Sequence, residues 1–420
     1  MAVVKTQDLV TETENSREQL IAITQQLVRI PSVTPPSDTR KIAKAVSELL
    51  IKRDNVNVSF HHKEPIIENL VAVARADKPG KRLILNGHLD TYPTGDSDTW
   101  QDDPFSGVLK DGRIYGRGSA DMKGGIACAL VTFNLLANNP GLWSGEVVLA
   151  LVGDEESMGV LGSQFLLDNV PEARGDAMLC GDVGSPMVPR IGEKGMIWID
   201  IFATGKSAHG AHVHRGVNAI DRLRKAMDAL DRLSDLVITT PDNVATVIQN
   251  AQSISEPLSG VGEAEVLKKV TVNFGRIEGG VTANLVADQA EVNADIRIPM
   301  GCSVQTVEIE IKKNLTSIPG IQFEITRRYE PSWTQKDDPI VVAVLNACQV
   351  VLDSQTPVVN MRVGASDARL YRAADIPTVV CGLTPYNLGG PDEFVDIDEL
   401  VIAAKIHTLA ALNFLASTEA

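Results

Sequence analysis

Residues 82–90 read RLILNGHLD, a largely apolar run that ends in a histidine and an aspartate. Similar runs are EVVLALV at 146–152, DAMLC at 176–180 and TVVC at 378–381. Short apolar runs without alternation are typical of strands in a sheet that helices cover on both faces. Helical stretches alternate with these runs, for example from residue 124 to about 136. The order therefore predicts an α/β domain in which a mixed sheet lies between helices.

The pattern changes after Pro189, where strands with alternating polarity appear. They are predicted at 196–203, 270–277, 291–298 and 321–326, with helices at 217–233 and 303–314. The resulting order, β-α-β-β-α-β, is that of the ferredoxin-like fold. We therefore predict an inserted α+β domain at residues 191–330, and one catalytic domain formed by residues 1–190 together with 331–420.

Composition narrows the class of protein. A chain of 420 residues is too long for one ordinary core, which favours two domains. The 39 basic and 54 acidic side chains give a net charge of −15, so neither nucleic acid nor an anionic membrane is an expected partner. The N-terminus lacks the apolar stretch of a signal peptide, and the five cysteines form no CxxC pair. These features predict a cytoplasmic protein with reduced thiols rather than disulfides or a thiolate zinc site.

Polar side chains follow the predicted strands at the point where each ends. The segments are NGHLD (86–90), GDEESMG (153–159) and GDVGSP (181–186), and GRGSADMKGG (116–125) leads into a helix. Ligands collect at the carboxyl edge of such sheets. One imidazole with several carboxylates suits zinc, manganese or cobalt. Taken singly, each residue has a simpler explanation, such as a structural histidine, a solvated acidic pair or a helix N-cap. Together they predict a metal site.

These segments resemble the co-catalytic zinc metallopeptidase and aminohydrolase family, which includes acetylornithine deacetylase, succinyl-diaminopimelate desuccinylase, aminoacylase and carboxypeptidase G. The similarity covers most of the chain and includes GHLDTYP, GRGSADMKGG, GDEESMG and GKSAHGAHVHRGVNAI. It implies an aminopeptidase-like catalytic domain and an inserted lid and dimerisation domain. It also implies a hydrolase that cuts a C–N bond in a small carboxylate-bearing substrate, with one or two divalent metal ions per chain, acting as a homodimer or higher homo-oligomer.

The resemblance assigns roles to particular residues. The implied metal ligands are His88, Asp121, Glu156 and Asp182. Asp121 would bridge two ions, with Glu156 on the second, and Glu155 would be the general base that deprotonates a water. Asp90 is expected to orient the imidazole of His88, and its simpler alternative is a turn-forming aspartate.

In the inserted domain, His209 is implied to reach across a dimer and stabilise the oxyanion of the tetrahedral intermediate. Its neighbours His212 and His214 leave open the alternative of a second metal-binding tract. Asn284 and Arg297 resemble polar substrate contacts, because a guanidinium can hold a carboxylate through two hydrogen bonds. The simpler alternatives are a turn for Asn284 and a salt bridge within a strand for Arg297.

The sequence departs from the family at 384–393, TPYNLGGPDE, where Gly389 stands in the place of a usual histidine ligand. Asn387 or Tyr386 could approach the metal there, although an amide oxygen is a weaker ligand, and Asn387 is also a candidate substrate contact. We therefore expect a weak second site and a single working metal.

This departure leaves the substrate class open. The main prediction is a deacylase or amidohydrolase, and the alternative is an aminohydrolase that releases ammonia from an activated aromatic amine such as a nitroanthranilate. Arg369 or Arg372 could seat a substrate carboxylate, or both could lie on the surface. A non-catalytic binding relative is a third possibility, but such a protein would be expected to have lost Glu155 or the first-site ligands.

Overall fold

The structure is a computed structural model that describes residues 2–416. The chain divides into two compact units. The first unit comprises the residues up to Ile191, then Trp333–Asn360, and those from Ser366 onward. The inserted unit comprises Gly192–Ser332 and the short segment Met361–Ala365.

The strands of the first unit and its boundary are β1 (Val56–His61), β2 (Asn69–Arg75), β3 (Arg82–His88), β4 (Val108–Lys110), β5 (Arg113–Tyr115), β6 (Glu146–Val152), β7 (Ala177–Cys180), β8 (Arg190–Glu193), β13 (Ser332–Trp333), β14 (Asn360–Arg362), β15 (Thr378–Val380) and β16 (Phe394–Asp396). Its helices are α1 (Ala2–Asn15), α2 (Arg17–Val28), α3 (Arg40–Leu49), α4 (Gly124–Asn138), α5 (Ser163–Asn169), α10 (Pro339–Leu352), α11 (Ala368–Ala373) and α12 (Ile397–Phe414). The inserted unit contains β9 (Gly195–Thr204), α6 (Ala219–Asp231), α7 (Asp242–Ser259), α8 (Glu263–Val266), β10 (Thr271–Gly279), β11 (Gln289–Ile298), α9 (Val304–Leu315) and β12 (Ile321–Tyr329).

The main sheet has the strand order β1-β2-β6-β3-β7-β15-β8-β13, with β14 paired to β8. Strand β3 runs parallel to β6 and β7, whereas β1 and β2 are antiparallel to their neighbours and β8 is antiparallel to β15. The mixed sheet predicted from the sequence is therefore confirmed. Consecutive residues of β3, β6 and β7 are buried, and because successive side chains point to opposite faces, both faces of these strands are covered.

The inserted unit is built on an antiparallel sheet of order β10-β11-β9-β12. Helices α6 and α9 pack on this sheet, and their apolar residues share one core with alternate residues of β9 and β11. The strand order and the β-α-β-β-α-β sequence are those of the ferredoxin-like fold, so that prediction is also confirmed.

Helix α7 was not predicted. Its buried residues Val244, Val247, Ile248 and Ala251 recur at helical spacing, so a signal was present in the sequence. Polar residues and Pro257 dominate its second half, which weakens the periodicity.

The segment Ser119–Asn138 is long and apolar enough to cross a membrane, but 89% of its most apolar window is buried inside the fold. This is the environment of a core helix. All five cysteines are buried, and none of them forms a disulfide.

Candidate metal centre

The imidazole of His88 lies at the end of β3 with partners on both ring nitrogens. Its Nε2 is 2.9 Å from Oδ1 of Asp121, and its Nδ1 is 2.9 Å from the backbone oxygen of Asp90. Asp182 completes the group, since ligand atoms of His88, Asp121 and Asp182 all lie within 4.8 Å of one another. The side chains are buried, with His88 only 2% exposed. Three side chains predicted as ligands of the first metal are thus within reach of one ion.

The sheet explains why residues distant in sequence converge. Strand β3 pairs in parallel with both β6 and β7, so the loops that follow these strands emerge at one edge. Helix α4 begins at the same edge, and an ideal Cβ on Gly125 would lie only 2.1 Å from the backbone oxygen of Gly181. The first turn of α4 therefore approaches the end of β7 through bare backbone, which brings Asp121 close to Asp182.

Asp90 connects the histidine to the loop that carries the two glutamates. Its Oδ1 accepts a hydrogen bond from the backbone N–H of Glu155 at 3.1 Å, and its Oδ2 accepts one from that of Glu156 at 3.1 Å. The same carboxylate lies 3.6 Å from Nδ1 of His88. Asp90 therefore adjoins the imidazole, as expected, and also fixes the backbone of the Glu155–Glu156 turn, which the sequence did not reveal.

Burial has a strong effect on the acidity of these groups. It raises the pKa of Glu156 to about 10, with the nearby Asp121 carboxylate adding to the shift. Burial also raises the pKa of Glu155 well above its usual range. For His88, burial alone would lower the pKa, but the hydrogen bonds with Asp121 and Asp90 raise it well above normal.

The donor set fits a cation. Oε1 of Glu156 is buried and has no hydrogen-bond partner among the described residues. Several carboxylates gathered around one imidazole in a buried setting would be costly without a positive charge. Nitrogen and carboxylate oxygen are ligands that zinc, manganese and cobalt accept. His88, Asp121 and Asp182 would hold one such ion, with Glu156 beside Asp121.

Arg369 lies behind Glu155 rather than in an open anion pocket. Its side chain is 3% exposed, and its guanidinium donates to the backbone oxygens of Met158 at 2.8 Å and Ser366 at 2.5 Å. It is also 3.8 Å from Oε1 of Glu155. A surface role for Arg369 is therefore wrong, and its expected role as anchor of a substrate carboxylate is not supported by this placement. Arg372 is half-buried and donates to Thr378 at 3.3 Å.

In the inserted unit, His209 and Asn284 are neighbours. The backbone N–H of Gly210 donates to the oxygen of Asn284 at 2.7 Å, and His209 pairs with Leu285. Nδ1 of His209 accepts from the N–H of Ala211 at 3.1 Å, which leaves its Nε2 on an exposed ring. The backbone thus brings two of the predicted substrate contacts together.

Arg297 forms a salt bridge with Asp295 at 2.8 Å, within one strand. This is the simpler alternative considered for it, yet its Nη1 remains buried without a hydrogen-bond partner among the described residues. One end of the guanidinium is therefore available for a further acceptor. The rings of His212 and His214 lie 5.9 Å apart between centroids.

The loop at 384–393 carries no imidazole. Asn387 has a φ of 56° and is exposed, and its side-chain amide donates to the backbone oxygen of Asp392 at 3.0 Å. Gly389 has a φ of 71°, and a Cβ added there would meet nothing within 4 Å. Asn387 thus closes its own turn, and open space surrounds Gly389, the position at which the family resemblance implies a histidine.

Two charged residues near the centre were missed in the sequence. Arg117 and Glu393 form an ion pair at 2.5 Å, and each is 1% exposed. Oε1 of Glu393 accepts from the backbone N–H groups of Ala120 and Asp121 at 3.0 and 3.1 Å. Both residues stand in quoted motifs, GRGSAD and PDE, but nothing in either motif predicts that they pair.

A mixed sheet with an imidazole and several carboxylates at one edge, together with a ferredoxin-like insert, has the features expected of a metal-dependent hydrolase with an inserted domain. A protein-family model identifies the family of the chain within that class. The chain belongs to peptidase family M20/M25/M40, whose model matches residues 84–413. The resemblance noted from the motifs is confirmed, and the chain is a hydrolase that acts on carbon–nitrogen bonds.

Individual relatives agree with this assignment. The chain is 29% identical over 406 residues to a succinyl-diaminopimelate desuccinylase of Methylorubrum populi, covering 92% of this chain and 95% of the relative. Among solved structures, a family M20 metallo-carboxypeptidase of Sulfolobus solfataricus has a TM-score of 0.79 at 19% identity, covering 94% of this chain and 99% of the other. A dipeptidase of Saccharomyces cerevisiae, Dug1p, has a TM-score of 0.79 at 15% identity and covers 99% of each chain. These structures share the fold.

Proposed function

We propose that the protein hydrolyses the amide bond of a small N-acylated amino acid or peptide that bears a carboxylate. The observation that carries this proposal is the convergence of His88, Asp121 and Asp182 within 4.8 Å, next to the buried Glu155. Curated relatives that match over most of the chain are succinyl-diaminopimelate desuccinylases, and their name supports a substrate with an acyl group on nitrogen.

Glu155 is the general base of the proposed reaction. When bound, the metal supplies a Lewis acid that makes water acidic enough to attack near neutral pH. Glu155 accepts the proton of that water on its carboxylate and delivers it to the leaving nitrogen. Asp90 holds the Glu155 backbone in place through its Oδ1, and Arg369 faces the Glu155 carboxylate at 3.8 Å.

The inserted unit supplies the groups that recognise the substrate. We assign His209 to the developing oxyanion, because its exposed ring has an unengaged nitrogen and can donate a hydrogen bond. Asn284, which lies beside it, and Nη1 of Arg297 are the proposed contacts for the substrate amide and carboxylate. In a homodimer, His209 would act on the centre of the other protomer.

A panel assay tests the proposed reaction. The purified protein is incubated with N-succinyl, N-acetyl and dipeptide substrates and with aminobenzoates, and released amine or ammonia is measured. We expect turnover of at least one acylated amino acid or dipeptide, and none of the aminobenzoates. Turnover restricted to the aminobenzoates would contradict the deacylase proposal and favour the second candidate, an aryl-amine aminohydrolase.

The absence of imidazole at position 389 is the observation that favours this second candidate, because it would leave a single working metal. Replacement of the amine on an electron-poor ring carbon by water would need one metal to activate the water, a general base that passes the water proton to the departing ammonia, and a carboxylate anchor. Glu155 and Arg297 would supply these two functions.

We predict one tightly held ion per chain. With Gly389 in place of a histidine and Asn387 bonded to Asp392, the second ion would depend on Asp121 and Glu156 alone. Two carboxylates form a weaker site than the three-residue group with His88. Metal analysis after exhaustive dialysis should give about one zinc, manganese or cobalt ion per chain. A Gly389→His variant serves as the comparison, and two retained ions in the unaltered protein would refute the prediction.

The location and assembly of the protein are also proposals. Buried free thiols support a cytoplasmic protein. The role proposed for His209 requires at least a homodimer. Neither nucleic acid nor a membrane surface is an expected partner for a chain with a net charge of −15.

A further inference from the structure

Glu393 and the backbone of Asp121 are in direct contact, although 272 residues separate them in sequence. Oε1 of Glu393 accepts two hydrogen bonds, from the N–H of Ala120 at 3.0 Å and from the N–H of Asp121 at 3.1 Å. Asp121 is a residue of the proposed metal site whose side chain also contacts His88. The carboxylate of Glu393 thus holds the main chain on which this ligand is carried.

The second oxygen of Glu393 is paired with Arg117. The ion pair spans 2.5 Å, and both side chains are 1% exposed. Arg117 also donates to the backbone oxygens of Gly389 at 3.1 Å and Gly390 at 3.0 Å. One buried network therefore joins the Asp121 turn to the loop at 384–393, and every connection is a hydrogen bond to a charged group, which is stronger than a neutral one.

The network connects the 384–393 loop to the metal centre although the loop carries no imidazole. The residue at the usual histidine position contributes its backbone oxygen to Arg117 instead of a side chain to a metal. The direction in which the Asp121 carboxylate points depends on the orientation of its backbone peptide. One oxygen of Glu393 fixes that orientation by accepting two hydrogen bonds from the backbone. Groups that orient ligands in this way typically change metal affinity by about 10-fold to 100-fold when they are removed.

We propose that Glu393 and Arg117 are positioning residues of the metal centre, which set the affinity for the ion by fixing the backbone of Asp121 to the 384–393 loop. The inference rests on the proposed function, because it takes Asp121 as a ligand. It concerns metal binding itself and does not depend on the identity of the substrate.

Glu393→Gln is the principal test. Glutamine keeps the shape and one acceptor oxygen but removes the charge that pairs with Arg117 and strengthens the bonds to the Asp121 peptide. We expect affinity for zinc, measured by competition with a chromophoric chelator, to fall by about 10-fold to 100-fold. The visible spectrum of the cobalt-loaded protein should shift as well, because Asp121 would bind at an altered angle.

Glu399→Gln is the matched control. Glu399 is a half-buried carboxylate that accepts from the backbone N–H and the hydroxyl of Thr384, both at 2.7 Å, at the other end of the same loop. Its carboxylate bonds to Thr384 rather than to the Asp121 turn, so we expect wild-type zinc affinity and an unchanged cobalt spectrum. An equal loss of affinity in both variants would overturn the proposal, since it would show a general loosening of the loop.

A single change could leave an unpaired buried charge and prevent folding. The double variant Arg117→Met with Glu393→Gln avoids this problem. It removes both charges, and the same loss of zinc affinity is expected. Wild-type affinity in the double variant would overturn the proposal. A His88→Ala variant separates this inference from the proposed function. If zinc binding is unchanged in His88→Ala as well as in the Glu393 variants, the proposed metal centre is wrong. If zinc binding is lost in His88→Ala alone, only the positioning role of Glu393 and Arg117 is rejected.

Discussion

Replacing Glu155 with glutamine is expected to lower kcat by about 10²-fold to 10⁴-fold, while the metal content stays at the wild-type level. A glutamine amide cannot accept the proton of the attacking water, so the loss falls on the chemical step rather than on substrate binding. KM should therefore change little. The measurement is steady-state kinetics on the best substrate of the panel, together with metal analysis of the same preparation.

Ser157→Ala is the control for this variant. Ser157 is exposed on the same turn, so its replacement tests whether any change in the loop lowers activity. Wild-type kcat in Glu155→Gln would show that Glu155 is not the base. Loss of the metal together with activity would instead indicate that Glu155 is a ligand, and the roles of Glu155 and Glu156 would then have to be exchanged.

Removal of the metal is the second change with a large expected effect. Dialysis against a strong chelator should reduce kcat by about 1,000-fold or more, because the Lewis acid supplies several kcal/mol of transition-state stabilisation. Adding back zinc, manganese or cobalt should restore activity, and a magnesium addition serves as the control, since that ion prefers an all-oxygen site. Full activity of metal-free protein in chelator would contradict the entire assignment of the site.

Metal removal should also change how stability depends on pH. Without the ion, burial raises the pKa of Glu156 to about 10 and that of Glu155 well above normal, and the pKa of His88 is raised too. The folded protein then binds more protons than the unfolded chain above pH 7. The free energy of unfolding of the metal-free protein should therefore fall as pH rises from 7 to 9, by up to about 1.4 kcal/mol per pH unit for each group.

Denaturant unfolding at several pH values measures this dependence. The metal-loaded protein is the reference, because a bound cation keeps the carboxylates ionised and the imidazole neutral in the folded state. Its profile should be flatter over the same range. A metal-free protein whose stability does not fall between pH 7 and 9 would contradict the raised pKa values of these side chains.

Much of the architecture was predictable from the sequence because its signals are local. The continuous apolar runs before His88 and Glu155 predicted covered strands, and the strict alternation from residue 196 to 203 predicted a half-exposed one. Both forms of patterning reflect burial of the strand itself. The loops after those strands then had to share one edge of the sheet, which explains why the residues that lie together, His88 and Asp182, could be named in advance.

The contacts between those loops were not predictable. The hydrogen bonds from Glu155 and Glu156 to Asp90 join positions 65 and 66 residues apart, and the pair Arg117–Glu393 joins positions 276 apart. A sequence shows which residues can donate or accept a hydrogen bond but not which partner folding will bring within 3 Å. The same limitation applied to Arg369, since its guanidinium donates to the backbone oxygen of Met158, 211 residues away in sequence.

The backbone contact between the first turn of α4 and the end of β7 limits how this centre can change. Because Gly125 has no space for even a methyl group before Gly181, the separation of Asp121 from Asp182 is determined by main-chain atoms. Substitutions elsewhere in the core cannot widen that gap gradually to suit a larger ion. Laboratory evolution towards a different metal would therefore have to act on the proposed ligand side chains themselves rather than on the packing beneath them.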